Sequence, residues 1–243
     1  MSSCVIIPAR YKSSRFPGKP LANIHGRPMV LWVADLSSMA VNKEHVYVAT
    51  ENKLIADTVT AAGFKVLMTD PNALTGTDRI AEAAEKLDYD VFINVQGDEP
   101  MVCPEDIKRC IKVKTDNPDE IVCGYCWMGE EEDPSSVNVP KVIMNESKVM
   151  VYMSRLAVPG HKDRMNAPKK YAKQVCIYGF SRSDLDRYKN FGRKSYLEGF
   201  EDIEILRFLE LDKKIRMFET SPGSLAVDTP EDLKSVEKAM TLR

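Results

Sequence analysis

Through its first 110 residues the chain alternates short apolar runs with segments whose apolar residues recur at helical spacing. Val5-Ile6-Ile7 is a compact run ended by Pro8. Between Pro28 and Met39 the apolar residues Met29, Trp32, Val33 and Leu36 follow a helical period. Val46 to Ala49 is the next strand, and Leu54, Ile55, Thr58 and Val59 predict a helix closed by Gly63. Lys65 to Met68 follows as a strand, Thr77 is placed to cap a helix over Asp78 to Leu87, Val91 to Val95 is again a strand, and Pro104 opens a helix at its first turn. Strands alternating with helices in this way predict βαβ units with right-handed crossovers, and so an α/β fold with an open, mostly parallel twisted sheet. Such sheets bind ligands beyond the carboxyl ends of their strands. Here those ends carry Pro8-Ala9-Arg10 and Gln96-Gly97-Asp98-Glu99-Pro100.

The second half is less regular. Glu130 to Asp133 reads as a solvated acidic loop. Val142-Ile-Met144, Val149-Met-Val151 and Val175-Cys-Ile-Tyr178 read as strands, Gly160 to Lys170 as a polar, mobile loop, and Leu197 to Leu211 as a helical stripe. Thr229-Pro230-Glu231-Asp232 has the cap, the first-turn proline and the early acids of a helix start. With no internal repeat and no low-complexity linker, the expected organisation is a single domain over 1–243 with a smaller β-rich insertion at roughly 125–182.

Composition excludes several classes. Thirty-four basic against thirty-six acidic residues give a net charge of −2, which argues against non-specific nucleic-acid binding. The opening residues lack a basic region followed by a long apolar stretch, and no run approaches the ~18 apolar residues of a membrane span. No nucleic-acid partner and no membrane span are therefore expected, and the cytoplasm is the expected compartment. The six cysteines are expected to be reduced. Cys123-Gly-Tyr-Cys126 has C-x-x-C spacing but lies in a strand-like run, where positions three apart face opposite sides, so it reads as ordinary thiols and not as a redox pair. No second C-x-x-C completes a zinc site, and the three histidines are scattered.

The charge is unevenly placed. Residues 1–34 carry Arg10, Lys12, Arg15, Lys19 and Arg27 and no acid, a local +5. The loop Arg10 to Lys19 directly follows the first strand, where cations and backbone N–H groups could cradle a polyphosphate. It is not a Walker A loop, because Gly18-Lys19 is followed by Pro20, and no G-x-G-x-x-G occurs. The alternative for such a loop is a solvated basic segment. Asp98 and Asp228 each follow an apolar run, Val91–Val95 and Leu225–Val227. Two carboxylates facing a basic loop suit Mg²⁺, which takes one or two of them together with phosphate oxygens and water; each could instead cap the segment that follows.

Ile6-Ile-Pro-Ala-Arg-Tyr-Lys-Ser-Ser-Arg-Phe-Pro-Gly-Lys-Pro-Leu21 closely resembles the nucleotide-binding opening of the CMP-Kdo synthetases, the 3-deoxy-manno-octulosonate cytidylyltransferases. Thr75-Gly-Thr-Asp-Arg79, Asn94-Val-Gln-Gly-Asp-Glu-Pro100, Cys176-Ile-Tyr-Gly-Phe180 and Val227-Asp-Thr-Pro-Glu-Asp-Leu233 agree in order, so the resemblance runs from about residue 4 to residue 240. It implies a nucleotidyltransferase-type fold and a homodimer built partly on the insertion. It implies attack by the anomeric hydroxyl of a 2-keto-3-deoxy sugar acid on the α-phosphorus of CTP, with release of pyrophosphate. Pro8, Ala9, Arg10 and Lys19 are similar to CTP-binding residues, and Thr75, Gly76 and Gln96 to base and ribose contacts. Arg10, Lys19 and Asp98 carry the catalytic assignment, and Asp98 and Asp228 match the Mg²⁺ ligands. Arg15, Gln96, Tyr178, Glu198 and Glu201 are the substrate-side residues, although Glu198, Glu201, Glu204 and Arg207 could equally form an ion-paired helix face. The departures are on the sugar side: Gln174 stands where the family has His, Ile205 where it has Gln, and Gly160 where it has an aromatic. They leave open Kdo itself, an amino or deoxy variant, or another 2-keto-3-deoxy sugar acid. A same-fold enzyme with another nucleotide or acceptor, and a non-catalytic nucleotide binder, are the competing readings.

Overall fold

The computed structural model describes residues 1–13, 15–222 and 225–241; Ser14 of the opening motif lies outside the described residues. In chain order the elements are β1 (Ser3–Pro8), β2 (Asn23–Ile24), β3 (Arg27–Pro28), α1 (Met29–Val41), β4 (Val46–Thr50), α2 (Lys53–Ala61), β5 (Lys65–Met68), α3 (Gly76–Ala84), β6 (Val91–Val95) and α4 (Pro104–Asp116). They continue with β7 (Ile121–Trp127), β8 (Lys141–Met144), β9 (Met150–Ser154), β10 (Ala172–Phe180), α5 (Arg182–Asn190), α6 (Tyr196–Glu201), α7 (Leu206–Glu210), β11 (Ile215–Glu219) and α8 (Pro230–Thr241). The sheet order is β11-β7-β10-β6-β1-β4-β5. β6, β1, β4 and β5 are mutually parallel, as the alternating pattern requires, and β11 is parallel to β7. β10 enters between β6 and β7 antiparallel to both.

The β1 side chains alternate between two cores. Val5 and Ile7 pack on one face with Val30, Val48, Ile93 and Ile107, whereas Cys4 and Ile6 pack on the other with Ile80, Phe92, Phe180 and Phe208. A sheet covered on both faces explains why its strands read as continuous apolar runs. The same alternation settles the C-x-x-C: Cys123 belongs to one core and Cys126 to the other, and both are free and buried. Burial pushes both thiols up, as expected for inert core cysteines.

Within the expected insertion, β7 and β10 are strands of the main sheet. β8 and β9 form an antiparallel hairpin that reaches it through the pairing of Lys141 with Lys173 and a bridge from Val149 to Arg216. Four details differ from the sequence reading. The threonine that caps α3 is Thr75 and not Thr77: its hydroxyl accepts from Asp78 N, so α3 starts two residues early and ends at Ala84. The stripe from Leu197 to Leu211 is broken into α6 and α7 at Asp202, which takes a left-handed conformation (φ 50°). β9 begins at Met150 and not at Val149. Leu225 to Val227 forms no strand, and is tied to the loop after β6 by Val227 N donating to Asp98 O (2.9 Å). Among the described residues no helix is long and apolar enough to cross a membrane.

Candidate active site

The carboxyl ends of β1 and β6 meet at a cleft of about 910 Å³. Ala9 N donates to Ala49 O (2.9 Å), which carries β1 one residue beyond its last strand pairing and turns Arg10 out into the cleft. The loop then closes on itself, with Gly18 N donating to Tyr11 O (2.9 Å) and Tyr11 N to Glu51 Oε1 (2.9 Å). Gly18 sits at φ 71°, the left-handed region in which a side chain is strained, and caps the short 3₁₀ turn Lys19–Leu21.

That turn aims Lys19 at both expected metal carboxylates. Its Nζ lies 2.7 Å from Asp98 Oδ2 and 3.2 Å from Asp228 Oδ1, and Arg15 Nη2 lies 3.1 Å from Asp228 Oδ1. Burial alone would depress Lys19; Asp98 and Asp228 outweigh it and hold the pKa above the ordinary lysine value. Asp228 is itself fixed by the start of α8, where the N–H groups of Asp228 and Thr229 donate to Asp232 Oδ2 (3.0 and 2.8 Å).

Gly97 is required by closeness and not by conformation. A Cβ there would stand 2.8 Å from Pro8 O, a backbone atom that cannot yield without moving β1. Gly97→Ala is expected to destabilise the protein by about 1–3 kcal/mol and, by parting Arg10 from Asp98, to raise the KM for nucleotide; a urea melt and steady-state kinetics check both.

Every expected site residue except Glu198 and Glu201 lines this cleft: Pro8, Ala9, Arg10, Arg15 and Lys19 from the loop, and Thr75, Gly76, Gln96, Asp98, Tyr178 and Asp228. Glu198 is 1 % exposed, grips Arg207 through both oxygens (2.8 Å each) and completes the cap of α6, so its carboxylate has no face left for a substrate. Glu201 turns toward β9, accepting from Ser154 Oγ (2.6 Å), Tyr152 OH (3.2 Å) and Arg155 N (2.8 Å). The ion-paired reading therefore describes Glu198, and Glu201 is a fastener between α6 and β9.

Burial works to raise the Glu201 pKa, but these three bonds outweigh it and the group stays below its ordinary 4.5. A depressed folded value contributes stability in full above the unfolded value and loses it as pH falls through the folded one. Glu201→Gln is expected to show a stability deficit at about pH 7 that shrinks toward about pH 3, measured by urea denaturation across that window.

The cleft also holds residues that the sequence did not single out as ligands. Glu204 accepts from Gly76 N (3.2 Å) and Thr77 N (2.7 Å) at the start of α3. Burial pushes its pKa up despite these bonds. Arg79 joins from α3, paired with Glu51 at 3.0 Å, and Lys173 is paired with Glu132. Arg155 completes the set, its guanidinium bound only by backbone carbonyls among the described residues, those of Val137 (2.8 Å), Glu201 (2.5 Å) and Asp202 (2.9 Å). Arg79 lies in the Thr75–Arg79 motif, which was the available signal; nothing in the motifs marked Arg155 or Lys173. Of the family departures, Gln174 lines the cleft and donates to Tyr178 OH (2.7 Å), whereas Ile205 is 1 % exposed in the core, so its side chain is not part of the wall.

The donor set suits a hard divalent cation. Asp98 and Asp228 offer carboxylate oxygens to one point, the Lys19 ammonium, so the two acids already converge on a single cation. No cluster of three or more potential protein ligands forms among the described residues. A hard divalent cation held by one or two carboxylates completes its sphere with phosphate oxygens and water.

An open, mostly parallel sheet with a cation-rich loop after its first strand and paired carboxylates opposite defines a nucleotide-handling α/β enzyme. The cytidylyltransferase family model matches residues 4–215, and the chain belongs to that family. It is 36% identical over 250 residues to the 8-amino-3,8-dideoxy-manno-octulosonate cytidylyltransferase of Shewanella oneidensis, covering all of both chains. It is 36% identical to the 3-deoxy-manno-octulosonate cytidylyltransferase of Bdellovibrio bacteriovorus, covering 97% of this chain and 96% of that one. Among solved structures it is similar to a CMP:2-keto-3-deoxy-manno-octonic acid synthetase complexed with CTP, with a TM-score of 0.91, 33% identity and coverage of 100% and 99%.

Proposed function

We propose that this protein is a CTP-dependent cytidylyltransferase that activates a 2-keto-3-deoxy sugar acid of the Kdo or 8-amino-Kdo type, giving the CMP-sugar and pyrophosphate. The observation that carries this reading is the convergence of Arg15, Lys19, Asp98 and Asp228 within 3.2 Å contacts at the strand ends, in a chain full-length similar to enzymes of that name.

Pro8 and Ala9 place backbone against the nucleotide, and Thr75, Gly76 and Gln96 flank the base and ribose. Arg10 and Lys19 neutralise the triphosphate, whose transfer depends mainly on positioning and charge stabilisation. Asp98 and Asp228 would hold the divalent cation. When bound there, such a cation supplies Lewis-acid charge at the α-phosphate and lowers the pKa of the attacking hydroxyl. That hydroxyl oxygen forms the new bond to the α-phosphorus as the bond to the β-phosphate oxygen breaks. No covalent enzyme intermediate is needed, and the acidic acceptor finds Arg155 and Tyr178 on the remaining wall. Tyr178 is held neutral by burial, so its hydroxyl serves as a hydrogen-bonding group and not as a base.

The protein is further proposed to work in the cytoplasm as a homodimer. The support for the dimer is the exposed apolar set Val151, Leu156, Tyr196 and Phe200 on and just after β9 and on α6, elements that Glu201 ties together. Pyrophosphate release with CTP and Kdo, 8-amino-Kdo or a sialic-type acid, repeated with the other three nucleoside triphosphates, tests the reaction. Turnover with no preference for CTP, or with none of these acids, overturns it. Sedimentation at micromolar protein tests the dimer.

A further inference from the structure

Behind the cleft wall stands a lysine with no role in the chemistry above. Lys141, the first residue of β8, is fully buried, and its ammonium donates to the carbonyls of Ser136 (2.8 Å), Val139 (2.6 Å) and Arg155 (2.5 Å). Those three bonds use all its protons. No carboxylate pairs with it among the described residues. Burial and the nearby Arg155 push its pKa down, against a weaker pull from Asp133 and Glu201. A buried charge held only by dipoles is expensive to desolvate, and an apolar side chain of similar length would fill the same space.

The position of Lys141 shows what the charge does. Its backbone pairs with Ser154 of β9 and with Lys173 of β10, and Gln174 N donates to Pro140 O (3.0 Å), so residue 141 stands where the hairpin meets the main sheet. Residues 137–140 and Arg155, the segments its ammonium gathers, line the cleft. Arg155 closes the brace by donating to Val137 O (2.8 Å). The loop over 136–139 has no strand or helix of its own; beyond the turn bond from Val139 N to Ser136 O (3.3 Å), two side-chain cations hold its carbonyls.

We infer that Lys141 is a positioning residue for the acceptor: its ammonium shapes the wall of residues 137–140 and Arg155 against which the sugar acid seats. The inference rests on the acceptor reading above, because the nucleotide is assigned to the β1 loop and to the start of α3, and this wall is what remains. Lys141 touches no substrate, and its effect reaches the acid only through the carbonyls it holds.

Lys141→Met is expected to raise the KM for the sugar acid about tenfold, while the KM and binding constant for CTP stay within about twofold. Amide hydrogen exchange over 136–140 and at Arg155 should rise in the same variant, with β1 and β6 unchanged. If Lys141→Met does not fold, Lys141→Ala assayed with and without ethylammonium replaces it, and the amine is expected to lower the acceptor KM where ethanol does not. An unmoved acceptor KM, acceptor and CTP constants that worsen together, or no response to the amine in Lys141→Ala overturns the inference. A wild-type enzyme that turns over no 2-keto-3-deoxy acid with CTP overturns the acceptor reading and this inference with it. Wild-type turnover with unchanged acceptor KM in the variant overturns the inference alone.

Discussion

Asp98→Asn is expected to lower kcat on the order of a thousandfold with little change in the unfolding midpoint. The asparagine keeps the shape of the side chain but gives up the negative oxygen that a hard cation needs. Asp98 is about a quarter exposed, and Lys19 retains Asp228 at 3.2 Å, so the substitution strands no buried charge. A part-exposed ion pair contributes about 0–1 kcal/mol, which is why stability should hold while turnover falls. Losing one acid also relaxes the raised Lys19 pKa toward its ordinary value. Pyrophosphate release at saturating CTP, beside a thermal melt, separates the two effects. Activity retained within about tenfold would remove Asp98 from the metal assignment. Asp228→Asn should follow the same pattern less steeply, because Asp228 is more exposed and shares Arg15 as a partner.

Arg207→Met is expected to act in the opposite sense, costing about 3–5 kcal/mol of stability although Arg207 never reaches the cleft. The guanidinium is fully buried, bonds both oxygens of Glu198 (2.8 Å each) and Asp78 Oδ1 (2.8 Å), and lies 3.7 Å from the Tyr188 ring centroid. Burial works against its charge, but Glu198 and Asp78 hold its pKa above the ordinary arginine value. Its removal leaves Glu198 uncompensated in the core, and that cost dominates. Arg207→Met combined with Glu198→Gln should therefore recover part of the loss, and a urea denaturation cycle over the four proteins reads the coupling. A single-variant loss below about 1 kcal/mol would mean that the pair is replaceable at no cost. A weaker nucleotide site should accompany the loss, since Thr75 Oγ1 donates to Asp78 Oδ2 (2.8 Å) and residues 75–76 form part of the cleft.

The two substitutions mark the division between local and long-range information. Strand and helix periods are local, so β1, β4, β5, β6 and the helices between them were legible from apolar spacing, and the ligand-binding edge followed from their parallel order. The motifs after β1 and β6 were legible for the same reason: a loop that must meet a ligand at a strand end carries its charge in consecutive residues, from Arg10 to Lys19 and from Gln96 to Asp98. The direction taken by Glu198, Glu201 and Glu204 was not legible. Three acids at a spacing of three suggested one helical face, but the left-handed Asp202 ends α6 between the second and the third. Glu198 then enters the core, Glu201 meets β9, and Glu204 alone reaches the cleft.

The sequence by itself determined the alternating α/β scaffold, the cationic loop at its first strand end and the two aspartates opposite. Only the tertiary structure decided that β10 runs antiparallel between β6 and β7, and that Lys19 stands between Asp98 and Asp228. It also decided that Arg155 lines the cleft while Lys141, behind it, gathers the carbonyls of Ser136, Val139 and Arg155. The physical reason is contact distance along the chain. Periodicity reports on neighbours three or four residues apart, whereas Lys19 meets partners 79 and 209 residues away, and such pairings are set only when the sheet and its loops close together.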